Sequence, residues 1–220
     1  MEVPRDHCIR CGACCLSASP SLQVSDIPFV TEGPIQKSDL YTLRAGELVQ
    51  DNIQGGLKKT KREVIKVRER EDNGACIFYD EADSRCTIYE HRPIQCVAMK
   101  CWDDAEFMRI YRAPKANRRD LIHDSQLLRL MEAHEERCGY DRLEHCVTEI
   151  ETSGEKAVDK ILGILKFDHE IRLLVSKKLE LNDNELDLVF GRPLTKTITM
   201  FGLKVVREPD GSFLLTLSDA

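Results

Sequence analysis

The residues best equipped for chemistry in this 220-residue chain are its ten cysteines, and their spacing is uneven. Cys8, Cys11, Cys14 and Cys15 crowd into eight positions, Cys76, Cys86, Cys96 and Cys101 form a wider second group, and Cys138 and Cys146 stand apart. Two residues between thiols let one turn bring both sulfurs onto one metal, and this spacing recurs in zinc and in iron–sulfur sites. Gly12, inside the first run, supplies the backbone freedom such a turn needs. The run departs from the bacterial ferredoxin pattern, since Cys15 follows Cys14 directly and no proline closes it. Adjacent Cys14 and Cys15 are expected to diverge, one of them serving a second centre or supporting the first.

The second group is spaced by nine, nine and four residues, a moderate signal alone. With the first group it makes eight thiols, enough for two four-thiolate sites, for a cluster plus a zinc, or for a single cluster using four of them. The spacing does not assign ligands to centres. Zinc sites of four thiolates usually pair two x2 knuckles, whereas an iron–sulfur cluster accepts dispersed cysteines, so the pattern favours an iron–sulfur cluster, with zinc as the alternative.

The elements that must position these thiols follow from turn residues and periodicity. Pro20, Pro28, Gly33 and Pro34 mark turns, a helix is expected from Ser38 to Leu43, and Gly55-Gly56 precedes a strand from Glu63 to Arg68. Residues 75–89 predict a hairpin around Asp80 to Ser84, with Cys76 and Phe78 on one face. His91-Arg92-Pro93 opens a short helix carrying Cys96, whose thiolate gains from the positive end of the helix dipole. Apolar periodicity predicts helices within 118–138 and 155–180 and another near Leu186 to Phe190, and the tail predicts a hairpin of Leu203 to Arg207 with Phe213 to Leu217 through Pro209-Asp210-Gly211. The fold class is α+β: a metal-binding N-terminal half of short hairpins and helices, residues 1–104, and a helical domain ending in a β-hairpin, residues 105–220.

A second set of residues passes from Cys86-Thr87-Ile88-Tyr89 through Arg92-Pro93 to Cys96. Combined with the opening CxxCxxCC run, this block resembles the CxxCxxCC cysteine-cluster family, the YkgJ-like proteins described as a zinc- or iron-chelating domain, over about residues 7–102. The resemblance implies metal binding through Cys8, Cys11, Cys14, Cys15, Cys76, Cys86 and Cys96, together with Cys101. Flagellin lysine methylases carry a similar module with an iron–sulfur cluster, which makes an iron–sulfur enzyme one alternative and a zinc-stabilised interaction module another. From about residue 105 onward no motif transfers.

Other residues are secondary. Cys138, Cys146, His134 and His145 do not share one helical face, so packing is their expected role. His7, His91, Arg92 and Trp102 adjoin the cysteines as possible supports of a site. Lys+Arg 32 against Asp+Glu 38 gives a net charge of −6, which disfavours a nucleic-acid partner despite the basic stretch Lys58 to Arg70. No run reaches the ~18 apolar residues of a membrane span and the start lacks a secretory signal, so a cytoplasmic chain is expected, with a protein partner or substrate left open. In that compartment dense cysteines read as metal ligands rather than disulfides.

Overall fold

The computed structural model describes residues 6–218 apart from positions 52, 54 and 210. In chain order the first elements are helices α1 (Ala13–Ser17) and α2 (Ile27–Thr31), then strands β1 (Leu40–Leu43), β2 (Leu48–Gln50), β3 (Leu57–Lys59), β4 (Val64–Val67), β5 (Tyr79–Asp80) and β6 (Arg85–Cys86). Helices follow: α3 (Ile94–Ala98), α4 (Ala105–Tyr111), α5 (Arg118–Leu121), α6 (Ser125–Cys138), α7 (Tyr140–Thr148), α8 (Ile150–Ser153), α9 (Glu155–Leu179), α10 (Asp183–Phe190) and α11 (Leu194–Thr197). Strands β7 (Leu203–Arg207) and β8 (Phe213–Leu217) end the chain as a hairpin, pairing Leu203 with Leu217 and Arg207 with Phe213. No helix is long and apolar enough to cross a membrane among the described residues. The expected mixture of helix and short antiparallel hairpins is what is observed; the turn position Asp210 lies outside the described residues.

Contacts divide the chain into two compact units, one of Met1–Tyr41 and Val64–Leu121, the other of Thr42–Glu63 and Ile122–Ala220. In the first, Leu22, Ile35, Leu40, Ile65 and Val67 are fully buried. The strand on which the chain leaves, β1, pairs with the strand on which it returns, β4. The helix expected at Ser38 to Leu43 is corrected here: a single 3-10 turn over Lys37–Asp39 gives way to β1. All four residues of β1 are buried, so its apolar side chains serve two covered faces rather than one helical stripe. The strand expected over Cys76 to Tyr79 is likewise replaced by a turn, the Tyr79 amide donating to the Cys76 carbonyl at 2.9 Å, and the ladder shrinks to Tyr79 opposite Cys86 and Asp80 opposite Arg85.

The second unit is built on α9. Its stripe packs Ile161, Ile164 and Leu165 with Cys138, Tyr140 and Leu143, and farther along it packs Ile171 and Val175 with Met131, Leu186, Val189 and Phe190. Asp124 caps α6 by accepting from the Gln126 and Leu127 amides at 3.0 and 2.7 Å, and Asn182 with Glu185 forms a capping box on α10. Through this apolar interior runs a charged spine. Asp168, 1% exposed, accepts from His134 Nε2 at 2.7 Å, from Arg172 Nε at 3.0 Å and from the Leu194 amide at 2.9 Å. Arg172 reaches on to Asp187 at 3.1 Å and to the Gly191 carbonyl. Arg44 is wholly buried, with its guanidinium 4.6 Å over the Tyr140 ring and a 3.4 Å contact to Glu135. Gly191, at φ 76°, is required twice over, because a Cβ there would stand 2.7 Å from the Arg44 side chain.

Two outcomes follow from this spine. Asp168→Asn removes the charge that buried Arg172, the His134 ring and a backbone amide share, and urea unfolding followed by circular dichroism should show a loss of about 3–5 kcal/mol. The second concerns pH. Burial, aided by Arg44 and Arg172 against the opposing bond to Asp168, lowers the His134 pKa below its ordinary 6.5. Burial works to raise Asp168, but the bond to His134 and the Arg172 charge outweigh it and hold the carboxyl below 3.8. Both groups therefore bind fewer protons folded than unfolded, so their contribution is complete above pH 6.5 and is lost as pH falls. Thermal midpoints measured from pH 7.5 to 5.5 should drop for the wild type and drop less for His134→Gln, which keeps a donor to Asp168 and cannot be protonated.

Candidate metal centre

All ten cysteines carry free thiols, and five of the eight proposed from sequence are neighbours in the first unit. Cys15 feels the charges of Cys14, Cys76 and Cys96, and Cys96 feels those of Cys76, Cys86 and Cys14. The thiols come from four separate stretches of chain, each brought in by a different device.

Cys14 and Cys15 ride on α1, entered through Gly12 at φ 75°. A Cβ at Gly12 would overlap the Tyr79 hydroxyl, so this glycine is needed both for its left-handed backbone and for the approach of the hairpin. The Cys76 amide donates to the Cys15 carbonyl at 2.8 Å, stitching the two cysteine-bearing segments backbone to backbone. Residue 76 also bridges to Glu69, whose carboxylate accepts from the Ser19 hydroxyl at 2.7 Å and from Tyr41 at 2.9 Å and pairs with Lys66. Cys86 stands directly opposite Tyr79.

Cys96 lies on α3, as Pro93 led us to expect, with Pro93 in the capping position. This helix is one turn long and is held from outside. The buried Asp26 accepts from the Ile94 amide at 2.8 Å, supplying a cap from 68 residues away. Gln95 accepts from the amide and hydroxyl of Ser21 at 2.6 and 3.0 Å.

Arg92 is the cation of the group. Its charge favours the thiolates of Cys14, Cys86 and Cys96. Its guanidinium lies 3.6 Å over the Tyr89 ring, and that of Arg10 lies 4.3 Å over the same ring, which ties the Cys8–Cys11 loop to the Tyr89–Arg92 segment. Arg92 Nε is buried with no hydrogen-bond partner among the described residues.

The sulfurs of Cys14 and Cys15 are 3.9 Å apart, so the expected divergence does not occur. That separation is close to the ~3.8 Å edge of a tetrahedron with 2.3 Å metal–sulfur bonds. The hydrogen bond with Cys15 brings the Cys14 thiol down from its ordinary value to about 6, which favours a thiolate in this pair. Burial pushes Cys76 up to about 11 and raises Cys86 and Cys96. One guanidinium does not offset so many thiols once they ionise, and a thiophilic metal removes both the protons and the repulsion.

Not every predicted residue joins this set. Cys8, Cys11 and Cys101 are exposed, and among the described residues no three Cys, His, Asp or Glu side chains are drawn tightly enough to close round one ion. The donor chemistry, five soft thiols beside a buried unpaired guanidinium N–H, fits a thiolate-bound metal. His7 is exposed beside Asp6, and His91 packs edge-on against Phe29. Cys138 and Cys146 lie in the core of the second unit, where burial raises Cys138 to about 12. Asp26, Gln95, Glu69 and Tyr79 escape sequence reasoning, since each acts through a partner remote in the chain. Gly12, Arg92 and Pro93 are the supports that the sequence itself points to.

Residues 7–114 match the model of the CxxCxxCC family, described as "Putative zinc- or iron-chelating domain". An uncharacterised protein of Methanocaldococcus jannaschii is 32% identical over 100 residues, covering 41% of this chain and 41% of that relative, so the chain spans well under half of its length. No solved structure matches the chain. Through residues 7–114, which hold the gathered thiols and every element that positions them, the chain belongs to the CxxCxxCC zinc- or iron-chelating family.

Proposed function

We propose that the first unit holds a cysteine-ligated iron–sulfur cluster, with Cys14, Cys15, Cys76, Cys86 and Cys96 at the heart of the ligand set and Cys8, Cys11 and Cys101 drawn in to complete it. The observation that carries this reading is the convergence of five thiols from four stretches of chain beside the Arg92 guanidinium, whose Nε is buried. Dispersed ligands of this kind suit a cluster better than the paired knuckles of a four-thiolate zinc site.

When bound, such a group supplies electron transfer or a rigid link between loops that carry little regular structure of their own. The chain's own residues do the rest. Arg92 offsets thiolate charge and offers its unused Nε–H to a ligand sulfur, a bond that raises a cluster's reduction potential. Asp26 and Gln95 fix the helix bearing Cys96, and Gly12 lets Tyr79 hold the opening run against the hairpin. We further propose a cytoplasmic protein whose centre serves a redox, accessory or structural role toward a protein partner.

Anaerobically purified protein should contain iron and acid-labile sulfide in comparable amounts, whereas a colourless protein with stoichiometric zinc and no sulfide would overturn the cluster. Cys14→Ser and Cys96→Ser should each lose most of the bound metal while Cys138→Ser retains it; unchanged metal content in the first two would overturn the ligand set.

A further inference from the structure

We propose that a basic cavity in the second unit binds a small phosphate-bearing anion. The cavity, about 230 Å³, lies among α6, α7 and α9 and is lined by Arg137, Arg142, Cys146, Lys160, Gly163 and Phe167. Lys160, Gly163 and Phe167 recur at helical spacing on one face of α9, as Arg142 and Cys146 do on α7. Three cations therefore converge on one hollow with no carboxylate in its lining, in a chain that carries 38 acidic residues and a net charge of −6.

The cations differ in how they are held. Arg137 lies 4.0 Å over the Phe167 ring, which fixes the plane of its guanidinium and leaves the N–H edge to hydrogen-bond elsewhere. Among the described residues neither Arg137 nor Arg142 has a carboxylate partner. Lys160 is bonded to Glu149 at 2.8 Å and supplies charge to the rim while keeping that contact. Mutual repulsion of unpaired arginines is relieved by an anion that both can reach.

Gly163 gives a second, independent indication. It sits inside the 25-residue helix α9, where alanine is favoured over glycine, and its backbone is ordinary. A Cβ at this position would meet nothing within 4 Å, so packing does not demand glycine. The residue's effect is to keep the cavity wall open. The volume is below the ~300–1,000 Å³ typical of drug-sized ligands and suits a phosphate or a short phosphomonoester. A dianionic tetrahedral group matches several converging donors better than a carboxylate does. Free phosphate and a small phosphate ester would supply the same chemistry.

Calorimetric titration of the full chain with inorganic phosphate, glycerol 3-phosphate and acetate tests this. Phosphate or its ester should bind at least about tenfold more tightly to the wild type than to Arg142→Gln. Binding should weaken as sodium chloride is added, and it should vanish in Gly163→Leu while the circular dichroism spectrum stays unchanged. A preference of about tenfold for glycerol 3-phosphate assigns an ester as the source, and equal affinity assigns free phosphate. Equal affinity of the wild type and Arg142→Gln, acetate binding as tight as phosphate, or no heat from either phosphate at about 10 mM would overturn the proposal.

Discussion

The hydrogen bond from the Cys76 amide to the Cys15 carbonyl joins segments 61 residues apart, and the cysteine-rich unit is organised around it. No broad sheet does this work: every sheet among the described residues has two strands, and the hairpin that carries Cys86 has two residues on each side. Such short ladders are marginal by themselves. Holding thiols from four stretches in one neighbourhood thus falls to single contacts with exact placement, among them the Gly12–Tyr79 approach and the Asp26 cap on Ile94. Each fixes one thiol-bearing segment, and together they hold these segments in one neighbourhood.

The second unit solves a different problem by a different means. Its apolar stripes would pack α6, α9 and α10 in several ways, since ridges of leucine and isoleucine are forgiving of slippage. The charged spine is not forgiving. Asp168 pairs with Arg172 on its own helix and must meet His134 of α6 and the Leu194 amide of α11 at the same time, which ties α6, α9 and α11 to one another. Burying this charge gains little net stability and fixes the arrangement.

How much of this was legible in the sequence depended on the range over which each signal acts. Helical periodicity is local, so the helices within 118–138 and 155–180 and the Leu203–Arg207 and Phe213–Leu217 strands appear as expected. Turn residues are also local, which is why Pro93 announced the helix of Cys96. Leu40–Leu43 misleads because an apolar run buried on both faces has no period that distinguishes strand from helix. At the site, the cysteines announce themselves by type and spacing. Their supports do not: Asp26 caps a helix 68 residues downstream, and Glu69 works through Ser19, 50 residues upstream. No local pattern encodes such a pairing, which exists only once the chain has folded.

The interleaving of the two units has a consequence for synthesis. Residues Thr42–Glu63 belong with Ile122–Ala220 yet leave the ribosome before most of the cysteine-rich unit has been made. Arg44 is translated 91 residues ahead of Glu135, and still farther ahead of Tyr140 and Gly191, against which its buried side chain rests. Until those arrive, the guanidinium must stay hydrated and its segment loose, a loop paid out of the first unit while that unit closes around its thiols. Vectorial folding therefore favours assembling the cysteine-rich unit first, while the helices of the second unit are still being translated.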